Sequence, residues 1–317
     1  MQGLINRRYL RVKAFQALYA FDAANRDQEV GEKNMLKSID HVYALYLYMI
    51  DLILAVGEMA ERQVDQNRAK RLATEEDLNP NMRFVENEVL GILKNNEELS
   101  RMLEKHKINW SVESDNVKKL WKKIQESEAY QDYMALDEAN FQADKTTIIQ
   151  LFKEHMAEDE VLHDYLEDKS IYWYSDLSLA CTNVVKTLNT IKATSTPATH
   201  ILLPLFKEQK EDSSFVKNLF HRSIQHAEDI DIMIDKHTKN WEVDRIARLD
   251  ILMLRMAVCE LLFFNEVPVK VTMNEYIELA KDYSTPNSKL FINGVLDKIV
   301  AQLKSEDRIA KTGRGLL

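Results

Sequence analysis

The chain has 317 residues, of which 45% are hydrophobic and 29% charged, enough apolar material for a sizeable core beneath a solvated surface. Only seven glycines and five prolines occur, where average usage would give about 38 such residues in this length. Tight turns and hairpins depend on these residues, so their scarcity excludes all-β and α/β architectures. The composition predicts an all-α protein.

The net charge of −9 disfavours a polyanionic partner at first sight, but the charge is unevenly distributed. Residues 1–21 contain four basic side chains and no acidic one, whereas residues 126–168 contain 13 acidic and 2 basic side chains. The acidity is therefore concentrated in the middle of the chain, and the N-terminal segment remains available to meet phosphate groups.

The cysteine count and the apolar segments indicate the compartment. Two cysteines, Cys181 and Cys259, are too few for a disulfide framework and are consistent with a reducing cytosol. The most apolar run, residues 42–56, is shorter than the roughly 20 residues that cross a bilayer and contains Asp51. Lys13 and Gln16 interrupt the apolar pattern of the basic N-terminus, which excludes a secretory signal. We expect a buried helix and a cytoplasmic protein.

Helical periodicity organises most of the chain. An amphipathic helix begins near Leu4 and carries basic residues in its first turns, and a second helix begins near Met35. Asn79-Pro80 marks a boundary, because proline disfavours helix in the residue before it. Residues 194–204, with two prolines, predict a linker, and four further helices are expected after it.

An internal repeat occupies the middle of the chain. Residues 84–112 align without a gap with residues 215–243, and 10 of the 29 positions are identical. Tryptophans 110, 173 and 241 fall in register in three copies. We interpret each copy as a helical hairpin whose tryptophan fills the angle between two helices.

The C-terminal part of the chain contains four ordered motifs. Residues 254–299 contain, in order, Leu-Arg-x-Ala-x-x-Glu-Leu, Val-Pro-x-Lys-Val, Asn-Glu-x-Ile-Glu-Leu-Ala-Lys and Phe-Ile-Asn-Gly-Val-Leu-Asp-Lys. With these motifs the segment resembles the NusB family of bacterial transcription antitermination factors. The N-terminal NRRYLRVKAFQALYAFD is similar to the arginine-rich first helix of that family, which ends in Gln-x-Leu-Tyr. Four ordered motifs within 46 residues make the resemblance specific.

This resemblance implies a non-catalytic, all-helical RNA-binding factor without a cofactor. Family members bind the single-stranded boxA element of nascent ribosomal transcripts together with NusE, a small-subunit ribosomal protein, and join RNA polymerase and other Nus factors. We expect residues 1–56 and 208–317 to form a discontinuous NusB-like core, in which the two ends of the chain fold together. Residues 57–207 have no counterpart in short family members and predict an acidic helical insertion with tryptophan-corner repeats.

Charge and motif position together define the candidate site residues. Basic residues on the first helix could simply form a solvated helix end, but the resemblance favours an arm that binds RNA phosphates. Phenylalanine in a helix is normally buried, yet the matching family position is implicated in RNA contact, where an aromatic ring can stack on an unpaired base. Asp250 could be an exposed helix charge, but the resemblance implies contact with the NusE-type partner. The expected RNA-binding residues are Arg7, Arg8, Arg11, Gln16, Lys289 and Phe291.

Other charged motif residues are expected to be structural. Arg255, Glu260 and Glu275 are interpreted as members of ion pairs that hold the C-terminal helices. Glu160 and His163 form half of a Glu-x-x-His metal motif, but the chain contains no second copy, so no metal site is expected. No P-loop, Gly-x-Gly-x-x-Gly or Gly-x-Ser-x-Gly motif occurs, and no catalytic residue is expected.

Two other functional classes remain open at this point. An RNA-modifying enzyme is conceivable, because NusB-like modules also precede ribosomal RNA methyltransferase domains, but a glycine-rich cofactor loop and a catalytic cysteine motif are missing. A helical scaffold or protein-interaction protein, or an RNA-binding accessory in ribosomal RNA maturation, is the alternative. Replacement of Arg7, Arg8 and Arg11 by alanine discriminates these, because a scaffold would lose no RNA affinity.

Overall fold

A computed structural model describes residues 3–24, 27–110, 113–138, 140–173, 175–238 and 247–311. Within these ranges the chain forms fifteen α-helices and one π-helical turn, and its β-structure is a single bridge between Ile5 and Phe206. The predicted all-α class is confirmed. Trp241, the third tryptophan of the internal repeat, lies outside the described residues.

The helices follow one another with short connections. In chain order they are α1 (Arg7–Ala23), α2 (Gln28–Arg68), α3 (Glu75–Leu78), α4 (Glu88–Lys94), α5 (Glu97–His106), α6 (Ser114–Gln125), α7 (Glu128–Met134), α8 (Phe141–Leu151), the π-helical turn Phe152–Met156, α9 (Glu160–Lys169), α10 (Leu177–Thr190), α11 (Gln209–Gln225), α12 (Ala227–Thr238), α13 (Arg248–Phe263), α14 (Val269–Tyr283) and α15 (Ser288–Ser305).

The chain divides into two compact units, each built from two separate stretches of sequence. The terminal unit comprises Ile5–Ile39 and Phe206–Leu317, and the central unit comprises Met1–Leu4 and Asp40–Leu205. Helix α2 is continuous from Gln28 to Arg68, and the division at 39/40 assigns its first twelve residues to the terminal unit and the remainder to the central unit.

The terminal unit is organised around α13. This helix packs against α1, α11, α12, α14 and α15, and α1 also packs along α11. Ten of the sixteen residues of α13 are buried, among them Leu252, Leu254 and Cys259. A helix that is apolar on nearly all sides is stable only when neighbours surround it. The first helix of the chain is one of those neighbours, so the two ends of the sequence share one hydrophobic core.

In the central unit, the apolar part of α2 is a buried core element. By length and composition α2 is long and apolar enough to cross a membrane, but 67% of its most apolar window is buried inside the protein. Residues such as Leu45, Tyr46 and Ile53 are fully enclosed. The Tyr46 hydroxyl is also within 2.6 Å of the Thr187 hydroxyl of α10, a polar contact between two helices that both belong to this unit.

Two tryptophan corners anchor their hairpins to α2 in the same way. The Trp173 indole Nε1 donates a hydrogen bond to the carbonyl oxygen of His41 at 2.8 Å, and the Trp110 Nε1 donates to the carbonyl oxygen of Tyr48 at 2.9 Å. His41 and Tyr48 are seven residues apart, which is about two helical turns. The ring of Tyr48 packs against both indoles, with centroid separations of 5.8 and 5.3 Å. The repeat in the sequence therefore corresponds to a repeated docking of corners onto positions about two turns apart on one helix.

Asp51 is the one carboxylate within the apolar run of α2, and it predicts a pH dependence of stability. Burial, with a smaller contribution from the charge of Glu58, raises the pKa of Asp51 to about 7. Because the folded-state pKa lies above the unfolded value, the native state loses stability relative to the unfolded state as pH rises from about 4 to about 7. We expect Asp51→Asn to remove this loss. The free energy of unfolding of the variant, relative to that of the wild type, should therefore increase by about 1–2 kcal/mol between pH 5 and pH 8 in urea titrations.

Asp65→Asn is the matched control for this measurement. Asp65 is an exposed carboxylate on the same helix, so its replacement should leave the pH dependence unchanged. An advantage of Asp51→Asn that is the same at both pH values would contradict the assignment.

Candidate nucleic-acid interface

The basic residues of α1 are positioned by a regular helix start. Asn6 caps the helix, and its side-chain oxygen accepts a hydrogen bond from the backbone N–H of Tyr9 at 3.0 Å. The first turn contains no acidic residue. Arg7 and Arg11 are four residues apart and share one face, on which both guanidinium carbons lie over the ring of Phe215 at 5.1 and 5.2 Å. Phe215 on α11 therefore orients two of the predicted RNA-binding arginines.

Arg11 is buried and forms a bidentate ion pair with Glu260 of α13. Its Nε and Nη2 atoms each donate to a different carboxylate oxygen at 2.8 Å, and the two side chains are 4% and 0% exposed. Burial alone would lower the pKa of Arg11, but the charge of Glu260 and the hydrogen bonds to it outweigh that effect and raise the pKa above its ordinary value. The guanidinium thus remains charged and is fully engaged inside the protein.

Further hydrogen bonds complete the surroundings of Glu260. The Thr272 hydroxyl donates to Oε1 at 2.8 Å, and the Tyr276 hydroxyl lies 3.4 Å from Oε2. Burial, followed by the charge of Glu260, raises the pKa of Tyr276 well above its ordinary value, so this hydroxyl stays protonated. Lys311 donates to the backbone carbonyl oxygens of Glu260 and Phe264 at 3.0 and 2.9 Å, which caps the end of α13. The cluster links α1, α13, α14 and the C-terminal segment.

Arg8 and Arg7 are more exposed than Arg11. Arg8 donates through Nε and Nη2 to the two carboxylate oxygens of Glu275 at 2.9 and 3.0 Å, and its side chain is 56% exposed. The hydrogen bonds to Glu275 raise the pKa of Arg8 above its ordinary value. Arg7 is 34% exposed and has three carboxylates, Glu211, Asp212 and Glu266, at the longer distances of 3.6 to 4.0 Å. Asp212 is buried, whereas Glu211 and Glu266 are exposed, and exposed pairs at such distances contribute little stability and exchange easily for another anion.

These arginines line a shallow groove of about 470 Å³ between the start of α1 and the start of α14. The α14 side of the groove is formed by Pro268, Val271 and Glu275. Val271 is exposed, although its side chain is apolar. The groove therefore combines the guanidinium groups of α1 with the apolar side chains of Pro268 and Val271, and the carboxylates of Glu266 and Glu275 also line it. Guanidinium groups suit phosphates, and apolar side chains suit the base faces of an unpaired nucleic acid strand.

Gln16 and Lys289 lie outside the groove lining. The Gln16 side-chain amide on α1 donates to the Tyr283 hydroxyl at the end of α14 at 3.3 Å and is half-buried. Lys289 is exposed in the first turn of α15. Both belong to the terminal unit together with the arginines of α1.

Two of the predicted RNA contacts, Arg11 and Phe291, are buried in this structure. The Arg11 guanidinium is bound to Glu260, as described above. Phe291 is only 7% exposed, because its position on α15 faces the packed core, so it offers no free ring face for a base. Its neighbour Leu290 is 65% exposed instead. Both side chains pack inside the terminal unit, which disfavours the direct RNA contact predicted for Arg11 and Phe291.

Asp250 also has an internal role in place of the expected partner contact. Its carboxylate accepts hydrogen bonds from the Ser284 hydroxyl at 2.5 Å and the Ser288 hydroxyl at 2.7 Å, and the residue is 4% exposed. Asp250 lies in the first turn of α13, and the two serines flank the connection between α14 and α15. The carboxylate holds that connection against α13. Its burial disfavours the direct contact with a partner protein that was predicted for Asp250.

The expectation that Arg255, Glu260 and Glu275 are structural agrees with their contacts. Arg255 donates to Asp231 at 2.7 Å and 3.0 Å and lies 3.3 Å from Asp22. The sequence analysis did not identify Phe215, which orients the arginines, or Val271, which lines the groove. Their only sequence signals are their positions near a charged or a proline-containing segment. Among the described residues, no group of three or more His, Cys, Asp or Glu side chains is arranged to hold a metal ion.

Comparisons with known proteins identify close relatives of the chain. The sequence profile of the NusB family matches residues 180–301. The transcription antitermination protein NusB of Salinibacter ruber is 44% identical over 138 residues, which cover 42% of this chain and 86% of that protein. NusB of Geobacter sulfurreducens is 46% identical over 90 residues, which cover 28% of this chain and 65% of that protein. The resemblance inferred from the sequence motifs is confirmed.

One further relative and one solved structure also match the chain. NusB of Chloroherpeton thalassium is 44% identical over 103 residues, 32% of this chain and 49% of that protein. Among solved structures, T. maritima NusB is 26% identical, with a TM-score of 0.28, over 44% of this chain and 82% of that chain.

The buried Arg11–Glu260 pair makes a prediction about stability. Glu260→Gln would leave a buried guanidinium without its counter-charge, and we expect it to lower the free energy of unfolding by about 3 kcal/mol in urea titrations. The loss should appear as faster hydrogen–deuterium exchange of the amides in α1. The double substitution Arg11→Met with Glu260→Leu should recover most of the loss, because apolar side chains of similar volume replace such pairs well.

Glu275→Gln is the comparison variant, because it removes the partner of the exposed Arg8 and leaves the bidentate Arg11–Glu260 pair in place. Glu275 also lies 3.8 Å from Nη1 of Arg11, and we expect the two lost contacts together to cost about 1 kcal/mol. Equal losses for Glu260→Gln and Glu275→Gln would show that the buried pair does not hold α1 in place.

Proposed function

Because the chain belongs to the NusB family, we propose that it is a cytoplasmic, non-enzymatic transcription antitermination factor that binds boxA-type single-stranded RNA of nascent ribosomal transcripts. A NusE-type small-subunit ribosomal protein would bind together with it, and the pair would join other Nus factors and RNA polymerase. Three curated relatives with 44% to 46% identity are named transcription antitermination proteins, which supports this role.

The observation that carries the RNA proposal is the exposed guanidinium of Arg8 at the edge of the α1–α14 groove. Its Nε and Nη2 atoms are held by Glu275, but Nη1 has no part in that bidentate pair. A guanidinium has five N–H donors in a fixed plane, so the groups on Nη1 can donate to a phosphate oxygen while Glu275 keeps the side chain oriented. This arrangement reduces the entropy that Arg8 would lose on binding RNA.

Arg7 and the apolar wall of the groove would supply further contacts. Phosphate binding would displace the contacts of Arg7 with the exposed carboxylates of Glu211 and Glu266, at 3.7 and 4.0 Å, which are weak in water. Pro268 and Val271 would pack against the face of an unpaired base or its ribose, in place of the stacking expected from Phe291. Lys289 would add charge from the start of α15, and Gln16 could hydrogen-bond a base edge only if it released Tyr283.

The buried candidate residues would act indirectly in this proposal. Arg11 fixes the rotation of α1 through Glu260, and thereby presents Arg8 to the groove. Phe291 fills the core beneath α15, and Asp250 fixes the α14–α15 connection through Ser284 and Ser288. Lys289 follows directly after Ser288, so the Asp250 contact would position that lysine.

Arg8→Ala tests the RNA proposal. The purified full-length chain should bind boxA RNA more tightly than a scrambled RNA of equal length, and a NusE-type partner should strengthen the binding. We expect Arg8→Ala to weaken boxA binding roughly three- to tenfold and to reduce the magnitude of the salt slope by about 0.7, as measured by filter binding across a salt series.

Glu275→Gln separates phosphate binding from a structural effect, because it breaks the same ion pair but keeps the guanidinium. It should bind boxA RNA at least as well as the wild type, because the removal of a negative charge beside the phosphate should outweigh the lost orientation of the Arg8 side chain. Equal, weak affinity of the wild type for boxA and scrambled RNA, even with the partner present, would refute the proposed function and favour a helical scaffold.

A further inference from the structure

Helix α6 of the central unit presents four lysines on one face. Lys118, Lys119, Lys122 and Lys123 are all exposed. At about 100° per residue they occupy a sector of roughly 140° on the helix surface. The pairs 118/122 and 119/123 are four residues apart, so their side chains are neighbours on that surface. No apolar side chain lies in the sector, but by the same geometry the exposed carboxylates of Asp115 and Glu126 fall between the lysines at its two ends. We call the four lysines the lysine face.

The opposite face of α6 fixes the orientation of the helix. Val117, Leu120, Trp121 and Ile124 are all buried. The Trp121 indole also donates a hydrogen bond to the side-chain oxygen of Gln63 on α2 at 2.5 Å. The helix is therefore held by one well-packed side, and the lysine face must point to solvent.

Intramolecular carboxylates neutralise this face only in part. Lys123 lies 2.6 Å from Asp159, but the Lys122–Glu126 distance is 3.9 Å between two largely exposed side chains. Within the described part of the chain, Lys118 and Lys119 form no ion pair. Like charges four residues apart destabilise a helix by about 0.2–0.5 kcal/mol per pair, so the close spacing of the lysines is itself unfavourable for α6, although Lys122 and Lys123 lie in its last turn, where positive charge is favourable.

The internal repeat shows that packing does not require lysine at these positions. Sixty-three residues after the buried side of α6, the aligned helix α10 has Ala180, Asn183, Val184 and Thr187, and all four are buried as well. The positions aligned with the lysine face are Cys181, Thr182, Val185 and Lys186. The two helices share their buried register, whereas three of the four exposed positions change from lysine to an uncharged residue.

We propose that the lysine face of α6 is a second RNA-binding surface, which holds the phosphate backbone of single-stranded RNA without regard to sequence. This inference rests on the proposed function, which brings a transcript to the chain. Protein interfaces are depleted of lysine and depend on buried aromatic or aliphatic anchors, and the lysine face offers none. A flexible strand of phosphates needs only exposed cations at regular spacing.

The charge of the surrounding sequence is consistent with a local polyanion site. Residues 101–123 contain seven basic and three acidic side chains, a local charge of +4, in a chain with a net charge of −9. The acidic stretch 126–168 follows directly. A strand bound at the lysine face would be repelled by these carboxylates, so the basic surface is limited to the α5–α6 region.

The triple substitution Lys118→Gln, Lys119→Gln and Lys122→Gln tests this surface in the full-length chain, with Lys123 retained as the partner of Asp159. Two RNAs are compared: a boxA oligonucleotide alone, and a long single strand that carries boxA with flanking sequence. With the long RNA we expect affinity to fall about three- to tenfold at low salt, and the magnitude of the salt slope to fall by about 2, which is about 0.7 per lysine. With boxA alone the affinity should stay within twofold.

The control triple Lys153→Gln, Lys192→Gln and Lys298→Gln makes the same change in net charge at exposed positions elsewhere and should leave both affinities unchanged. Unchanged affinity and slope of the α6 triple with the long RNA would overturn the proposal and would favour an acidic protein as the occupant. If the wild type fails to prefer boxA but the α6 triple still lowers the slope, the lysine face stands and the boxA assignment fails.

Discussion

The buried ion pair between Arg11 and Glu260 is the interaction on which the geometry of the terminal unit depends. It joins residues 249 positions apart in the sequence, at distances of 2.8 Å, and it fixes which side of α1 faces inward. At about 100° per residue, Arg7 is displaced by about 40° from Arg11 around the helix and Arg8 by about 60° in the other direction. The exposed fractions of the three side chains, 4% for Arg11, 34% for Arg7 and 56% for Arg8, follow this order.

A buried ion pair contributes little net stability to a core, because desolvation of both charges offsets much of their attraction. Its contribution here is to orientation. An apolar residue in place of Arg11 would pack against α13 in several rotations of α1, whereas a bidentate pair with Thr272 on one carboxylate oxygen accepts only one. The same rotation places Arg8 beside Glu275 and the groove. The position of the exposed Arg8 therefore depends on the buried pair that Arg11 forms.

Several properties of the molecule could be predicted from the sequence, and the reasons for the others are physical. The scarcity of glycine and proline predicted the all-α fold, and ordered motifs predicted the family; both are confirmed. Charge alone could not distinguish Arg11 from Arg8, since the difference depends on a partner in a distant helix. Which of the neighbours Phe291 and Leu290 is buried and which is exposed depends on the rotation of α15 about its axis, and the sequence motif does not specify that rotation. The role of Asp250 depends on hydrogen bonds from two serines that flank the α14–α15 connection. Sequence periodicity does not predict the contacts of such a connection.

The repeat in the central unit shows how a duplicated packing scheme can leave its outer surface free to change. Corners containing Trp110 and Trp173 dock on carbonyl oxygens two turns apart along α2, and the helices that follow them, α6 and α10, bury the same four register positions. Their outer faces differ. On α10 the outer positions, including Cys181 and Val185, line a cavity of about 820 Å³ beside the π-helical turn. On α6 the corresponding positions are lysines. Since the shared contacts involve only the inner faces, a change on the outer face alters the ligand that the helix suits without altering how the hairpin folds.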